Sequence, residues 1–115
     1  MKRDLNLLRQ IMIELEKTPL GDFSVPVIDG VSWVDVSFHV MLLNQAGFIR
    51  AFSVGDDELK DWIPVCLTWD GYEFLDLVRN SDRWDTALKI ASATGSTPLY
   101  LVMKILRNSA ELGMK

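Results

Sequence analysis

The chain has 115 residues, enough for one domain with a real core and too few for two. It is 49% hydrophobic and 24% charged, the balance of an ordinary folded soluble protein. Its net charge of -4 argues against a surface devoted to nucleic acid, because affinity for phosphate comes largely from neutralising it with cations. A single cysteine, Cys66, excludes an intrachain disulfide, and one His beside one Cys leaves few ligands for a metal. No cofactor is expected. No stretch approaches the roughly 18 apolar residues of a membrane span, and Met1-Lys2-Arg3-Asp4 leads into an amphipathic run, not an apolar leader. These features predict a cytoplasmic protein that does not engage a membrane.

The first helix is predicted over residues 4–17, with Leu5, Leu8, Met12 and Leu15 at three- and four-residue steps on one stripe. Asp4 stands early, where the helix dipole favours an acid, and Pro19 blocks continuation. Phe23, Val25 and Val27 alternate, which predicts a short strand over 23–28, limited to an edge by Pro26. Asp29-Gly30 marks a turn.

A second helix is predicted from Ser32 or Trp33 to Ala46. Ser32 is its N-cap, with Asp35 three residues on, and Gly47 is its stop. Two strands follow, 48–54 and 61–67, joined by the polar stretch Gly55 to Lys60, with Pro64 at an edge or a bulge. Thr68 caps a third helix reaching about Arg79. Ser81-Asp82 opens a fourth, continuing to Ala93. Thr97-Pro98 opens a last helix to about Leu112, with Leu99, Val102, Ile105, Leu106 and Ala110 on one side. Helix, short strand, helix, hairpin and helix is the order of a winged-helix domain, a DNA-reading scaffold. The expected fold is therefore α+β and winged-helix-like, with a core over 1–80 and a C-terminal helical hairpin over 81–115 packed on it.

Three segments carry a resemblance. They are Met1-Lys2-Arg3-Asp4-Leu5-x-Leu7-Leu8, Ser37-Phe38-His39-x-x-Leu42-Leu43-x-x-Ala46-Gly47-Phe48-Ile49, and Leu67-Thr68-Trp69-x-Gly71-x-Glu73-Phe74-Leu75-Asp76. In this order they resemble an uncharacterised family of small phage, prophage and bacterial proteins, domain of unknown function 2513. The resemblance implies a winged-helix-like fold and a phage-related origin, and it carries no catalytic residue.

At ~100° per residue, Val36, His39, Val40, Leu43 and Ala46 share the predicted core side of the second helix. The opposite arc holds Trp33, Val34, Ser37, Phe38, Met41, Asn44 and Gln45. A DNA reader would place Arg, Lys, Asn or Gln there, yet no Lys or Arg lies between Val31 and Ile49. Two arrangements satisfy the arc. Flanking elements cover it as core, or it is an apolar, Met-bearing patch that docks a protein or a second copy of the chain. The predicted wing carries Asp56, Asp57, Glu58 and Asp61 against Lys60, a local charge of -3 that would be repelled by phosphate and that also suits a solvated loop.

His39 is expected as a hydrogen-bonded core residue reaching toward the wing strands, and Cys66 as a buried small hydrophobe. Trp62, Trp69 and Trp84 are expected as anchors between the hairpin and the following helices. Asp70, Glu73 and Asp76 lack the His, Lys or metal-ligand spacing of a catalytic set, and Gly71 and Gly95 form no phosphate loop. The expectation is thus a non-catalytic adaptor or inhibitor of a host protein, a counter-defence factor among the candidates. Its partner would be bound by Trp33, Val34, Phe38, Met41 and Gln45. The rival is a small transcriptional regulator, dimeric through the first and last helices, contacting DNA through Arg79, Arg83, Lys89 and Asn44.

Overall fold

In the computed structural model, residues 2–55, 61–93 and 98–111 are described. Among them the chain forms five helices and a two-stranded antiparallel sheet: α1 Leu5–Lys17, α2 Trp33–Gln45, β1 Ile49–Val54, β2 Asp61–Leu67, α3 Trp69–Val78, α4 Ser81–Ser92 and α5 Leu99–Glu111. The chain divides into two compact units, Met1–Glu73 and Phe74–Lys115, the division falling within α3. The expected wing residues 56–60, and Thr97 as a cap, lie outside the described residues.

Each helix of the first unit starts where a side chain can satisfy free amides. Asp4 is the N-cap of α1, its carboxylate accepting from the amides of Asn6 at 3.0 Å and Leu7 at 3.2 Å. The α1 stripe Leu5, Leu8, Met12 and Leu15 is buried, together with Leu7 and Ile11. Ser32 caps α2, taking the amide of Asp35 at 3.2 Å. At the far end Gly47, at φ 80°, permits the left-handed turn that L side chains resist. The Gly47 amide donates to Asn44 and the Phe48 amide to Leu43, the double bond pattern of a Schellman stop.

α2 packs on both strands, and α1 packs on α2 and β2. Val36, Val40 and Leu43 of α2 are buried, as is Ile49 at the start of β1. In the sheet Ile49 pairs with Leu67 and Arg50 with Cys66, but Ala51 pairs with Pro64. Val65 is therefore an extra residue on β2, a bulge directly after the proline that has no N–H to donate. Thr68 closes the unit: its hydroxyl accepts from the Gly71 amide at 3.0 Å, opening α3, and donates to the Gly47 carbonyl.

Several expectations need correction. Residues 23–28 form no strand; Pro26 interrupts the run and the segment stays irregular, ending in a turn closed by the Val31 amide on the Ile28 carbonyl. Ala46 is exposed, because α2 stops at Gln45 and Ala46 is its C-cap. Trp69 is 79% exposed and anchors nothing, whereas Trp84 is buried. Cys66 is half-buried, not fully buried.

In the second unit Asn80, one residue before the expected start, caps α4 by accepting from the Arg83 amide at 3.0 Å. Trp84, Ala87 and Ala91 make its buried stripe, and Val102 and Leu106 that of α5, which packs on α4.

Candidate docking surface

His39 is 2% exposed and both its ring nitrogens are engaged. Nδ1 lies 2.7 Å from the Asp35 carbonyl, one turn back, and Nε2 lies 2.9 Å from the backbone nitrogen of Asp4. A carbonyl can only accept and an amide can only donate, so Nδ1 carries the proton and the ring is neutral. His39 therefore ties α2 to the start of α1, not to the hairpin strands as expected. Phe38 meets its ring edge-on at 5.4 Å between centroids.

The opposite arc of α2 is not one continuous surface. Ser37 is buried and its hydroxyl accepts the Trp62 amide at 2.8 Å. The Asn44 side-chain oxygen accepts the Ala51 amide at 3.0 Å, beside the bulge. These two polar residues hold the hairpin. Val34, Phe38 and Met41 are half-buried, and Gln45 is exposed at the helix end. Trp33, at the first position of α2, is 56% exposed.

Trp33 opens onto a groove of about 290 Å³ lined by Val25, Trp33, Ser37, Asp61, Trp62 and Ile63. Beside it Phe23 stacks edge-on against Phe52 at 6.2 Å, and Phe52 is the cross-strand partner of Ile63. Phe23, Phe52 and Val54 are all exposed. The irregular 23–28 segment thus forms one wall of an apolar surface whose other walls are the start of α2 and the hairpin. Sequence reasoning found Trp33 but missed Val25, Trp62 and Ile63. The signal for Val25 was a Pro-interrupted apolar run too short to fold as a strand, whereas Trp62 and Ile63 lie in the expected strand β2 and carried no separate signal.

The residues of the rival reading are spread over both units. Asn44 belongs to the first unit, and Arg79, Arg83 and Lys89 to the second. Arg79 pairs with Asp76 at 2.9 Å. Arg83 and Lys89, six positions apart on α4, are about 120° apart around the helix. The α1 stripe is buried, and of the α5 stripe Val102 and Leu106 are buried while Leu99 and Ile105 are half-buried. Among the described residues no group of three or more His, Cys, Asp or Glu could hold a metal ion, and no helix is long and apolar enough to cross a membrane.

Comparison with known proteins agrees with the resemblance in the three motifs. The family described as "Hypothetical protein (DUF2513)" matches residues 2–97. An uncharacterised protein of Haemophilus influenzae is 36% identical over 104 residues, covering 88% of this chain and 86% of that protein. No solved structure matches. The motifs, the extent of the family match and this relative together establish that the chain belongs to the DUF2513 family.

Proposed function

We propose that this chain is a non-catalytic protein-binding module with a winged-helix-like first unit, and that its partner docks on the surface around Trp33. The element order α1, α2, hairpin, α3 supports the winged-helix reading. The observation that carries the docking reading is the exposed indole of Trp33 beside an apolar groove and the exposed Phe23 and Phe52. Large aromatic side chains left in water next to a preformed recess are the usual anchors of protein interfaces. Of the polar residues of the α2 arc, Ser37 and Asn44 are spent on the hairpin backbone and only Gln45, at the helix end, stays exposed, which weighs against DNA readout. The resemblance to phage and prophage proteins fits an adaptor or an inhibitor of a host protein.

The test is capture of a partner from cells that express the protein naturally, by the full chain and by two variants. Trp33→Ala combined with Phe52→Ser should lose the captured protein, while Tyr100→Ala, an exposed aromatic of the second unit, should keep it. Capture undiminished by the double substitution removes the docking reading. Binding to random duplex DNA that falls steeply with salt replaces it with the regulator.

A further inference from the structure

The groove beside Trp33 has a lining chemistry that narrows its occupant. Among the described residues of its lining, Val25, Trp33, Trp62 and Ile63 are apolar or aromatic. Ser37 already accepts the Trp62 amide. Among the described residues, Asp61 is then the charged residue of the lining, exposed at the first position of β2. The volume, about 290 Å³, corresponds to roughly ten waters, which suits one long side chain and is too small for a folded element.

Two indoles, aliphatic walls and one carboxylate form a site for a cation on an apolar stem. An alkyl chain lies against valine and isoleucine, an indole face attracts a guanidinium or ammonium through its quadrupole, and the carboxylate completes the charge pairing. An acidic partner segment would meet Asp61 and a chain of net charge -4. A purely aliphatic one would leave the Asp61 carboxylate without use. Charge complementarity therefore favours a basic segment, and arginine over lysine, because the planar guanidinium can stack on an indole while it pairs with a carboxylate.

We propose that the groove formed by Val25, Trp33, Trp62, Ile63 and Asp61 is the anchor pocket for an arginine side chain of the partner protein. This rests on the docking reading and names the chemistry of its central contact. Val25 and Ile63 hold the methylenes, the indoles of Trp33 and Trp62 hold the guanidinium, and Asp61 fixes its charge.

The probe is the blocked tripeptide acetyl-Gly-Arg-Gly-amide, titrated into the full chain and followed by the indole N–H resonances. These are assigned by replacing each tryptophan in turn with phenylalanine. Citrulline in place of arginine keeps the shape and removes the charge; leucine keeps only apolar character. The Trp33 and Trp62 signals should shift saturably with the arginine peptide at millimolar concentration, while buried Trp84 stays still. The citrulline peptide, and Asp61→Asn with the arginine peptide, should each bind about tenfold more weakly. No movement of either indole, equal binding of citrulline, or tighter binding of leucine overturns the proposal. So does a dimer in sedimentation that Trp33→Ala dissociates, which would seat a second copy there. If Trp33→Ala with Phe52→Ser loses the captured partner yet the arginine peptide fails, only the cationic occupant falls. If capture is unchanged, the docking reading falls with it.

Discussion

The hydroxyl of Ser37, buried on α2, accepts the backbone N–H of Trp62 at the start of β2 at 2.8 Å. The bond fixes one wall of the groove against another, because both residues line it. Ser37→Ala leaves that amide without its acceptor in a partly buried place, which costs about 1–3 kcal/mol. Urea denaturation should show a loss of that size. Amide exchange should show Trp62 among the residues that lose most protection.

His39 makes a prediction that needs no mutation. Its Nδ1 faces the Asp35 carbonyl and its Nε2 faces the Asp4 amide, so long-range proton–nitrogen spectra of the neutral ring should place the proton on Nδ1. His39→Phe keeps the ring and removes both bonds. It should destabilise the fold by about 1–3 kcal/mol and speed exchange at the Asp4 amide first. A proton found on Nε2 would leave the Asp4 amide without its acceptor and remove this tie between α1 and α2.

These two contacts mark the limit of what was legible in the chain. Helix positions were readable because caps, stripes and stops are local: Asp4, Ser32, Gly47 and Thr68 each act within a few residues of themselves. The 23–28 strand was misread because alternation describes where side chains point, while pairing needs a neighbour strand and free amides, and Pro26 supplies none. The α2 arc left two arrangements open for another reason. A helical wheel shows direction and not what stands opposite, so Ser37 and Asn44 read as outward polar groups although the hairpin backbone lies against both. Trp33 remained open because it is the first residue of its helix, where side chains lean toward the N-terminus and no preceding turn lies beneath it.

Gly71 shows a constraint invisible in the sequence. A Cβ built there would lie 1.9 Å from the carbonyl oxygen of Phe48 and 3.3 Å from the Met12 Cε. That same carbonyl accepts the Thr68 amide at 3.1 Å, so it cannot move away without losing the bond that seats α3. In an open helix Gly→Ala gains about 1 kcal/mol. Here the clash is with backbone, so the sign reverses and Gly71→Ala should cost about 1–3 kcal/mol or more. Denaturation midpoints of the variant and the parent decide it.

The four tryptophans differ in access, and quenching should resolve them. Trp33 and Trp69 are exposed, Trp62 is half-buried and Trp84 is 1% exposed. Acrylamide should quench the parent strongly. The double variant Trp33→Phe with Trp69→Phe should retain mainly shielded emission and unfold at nearly the same denaturant concentration, since neither indole is in the core. A persistently quenchable spectrum would mean that Trp62 is far more open, and the groove wider, than its lining indicates.

Asn44 separates a structural role from a base-reading one. Its side-chain oxygen accepts the Ala51 amide at 3.0 Å, where the β-bulge leaves the ladder irregular. Asn44→Ala removes the acceptor and should cost about 1 kcal/mol. Asn44→Asp keeps an oxygen at the same reach and should recover most of that loss at neutral pH, since a carboxylate accepts from an amide at least as well. A residue that reads bases would behave in the opposite way. The added negative charge would abolish any association with duplex DNA while leaving stability untouched. Equal stability of all three proteins, with DNA binding lost only in the aspartate variant, would return α2 to the groove of a duplex. Recovery of stability in that variant keeps Asn44 as the side chain that holds β1 against α2.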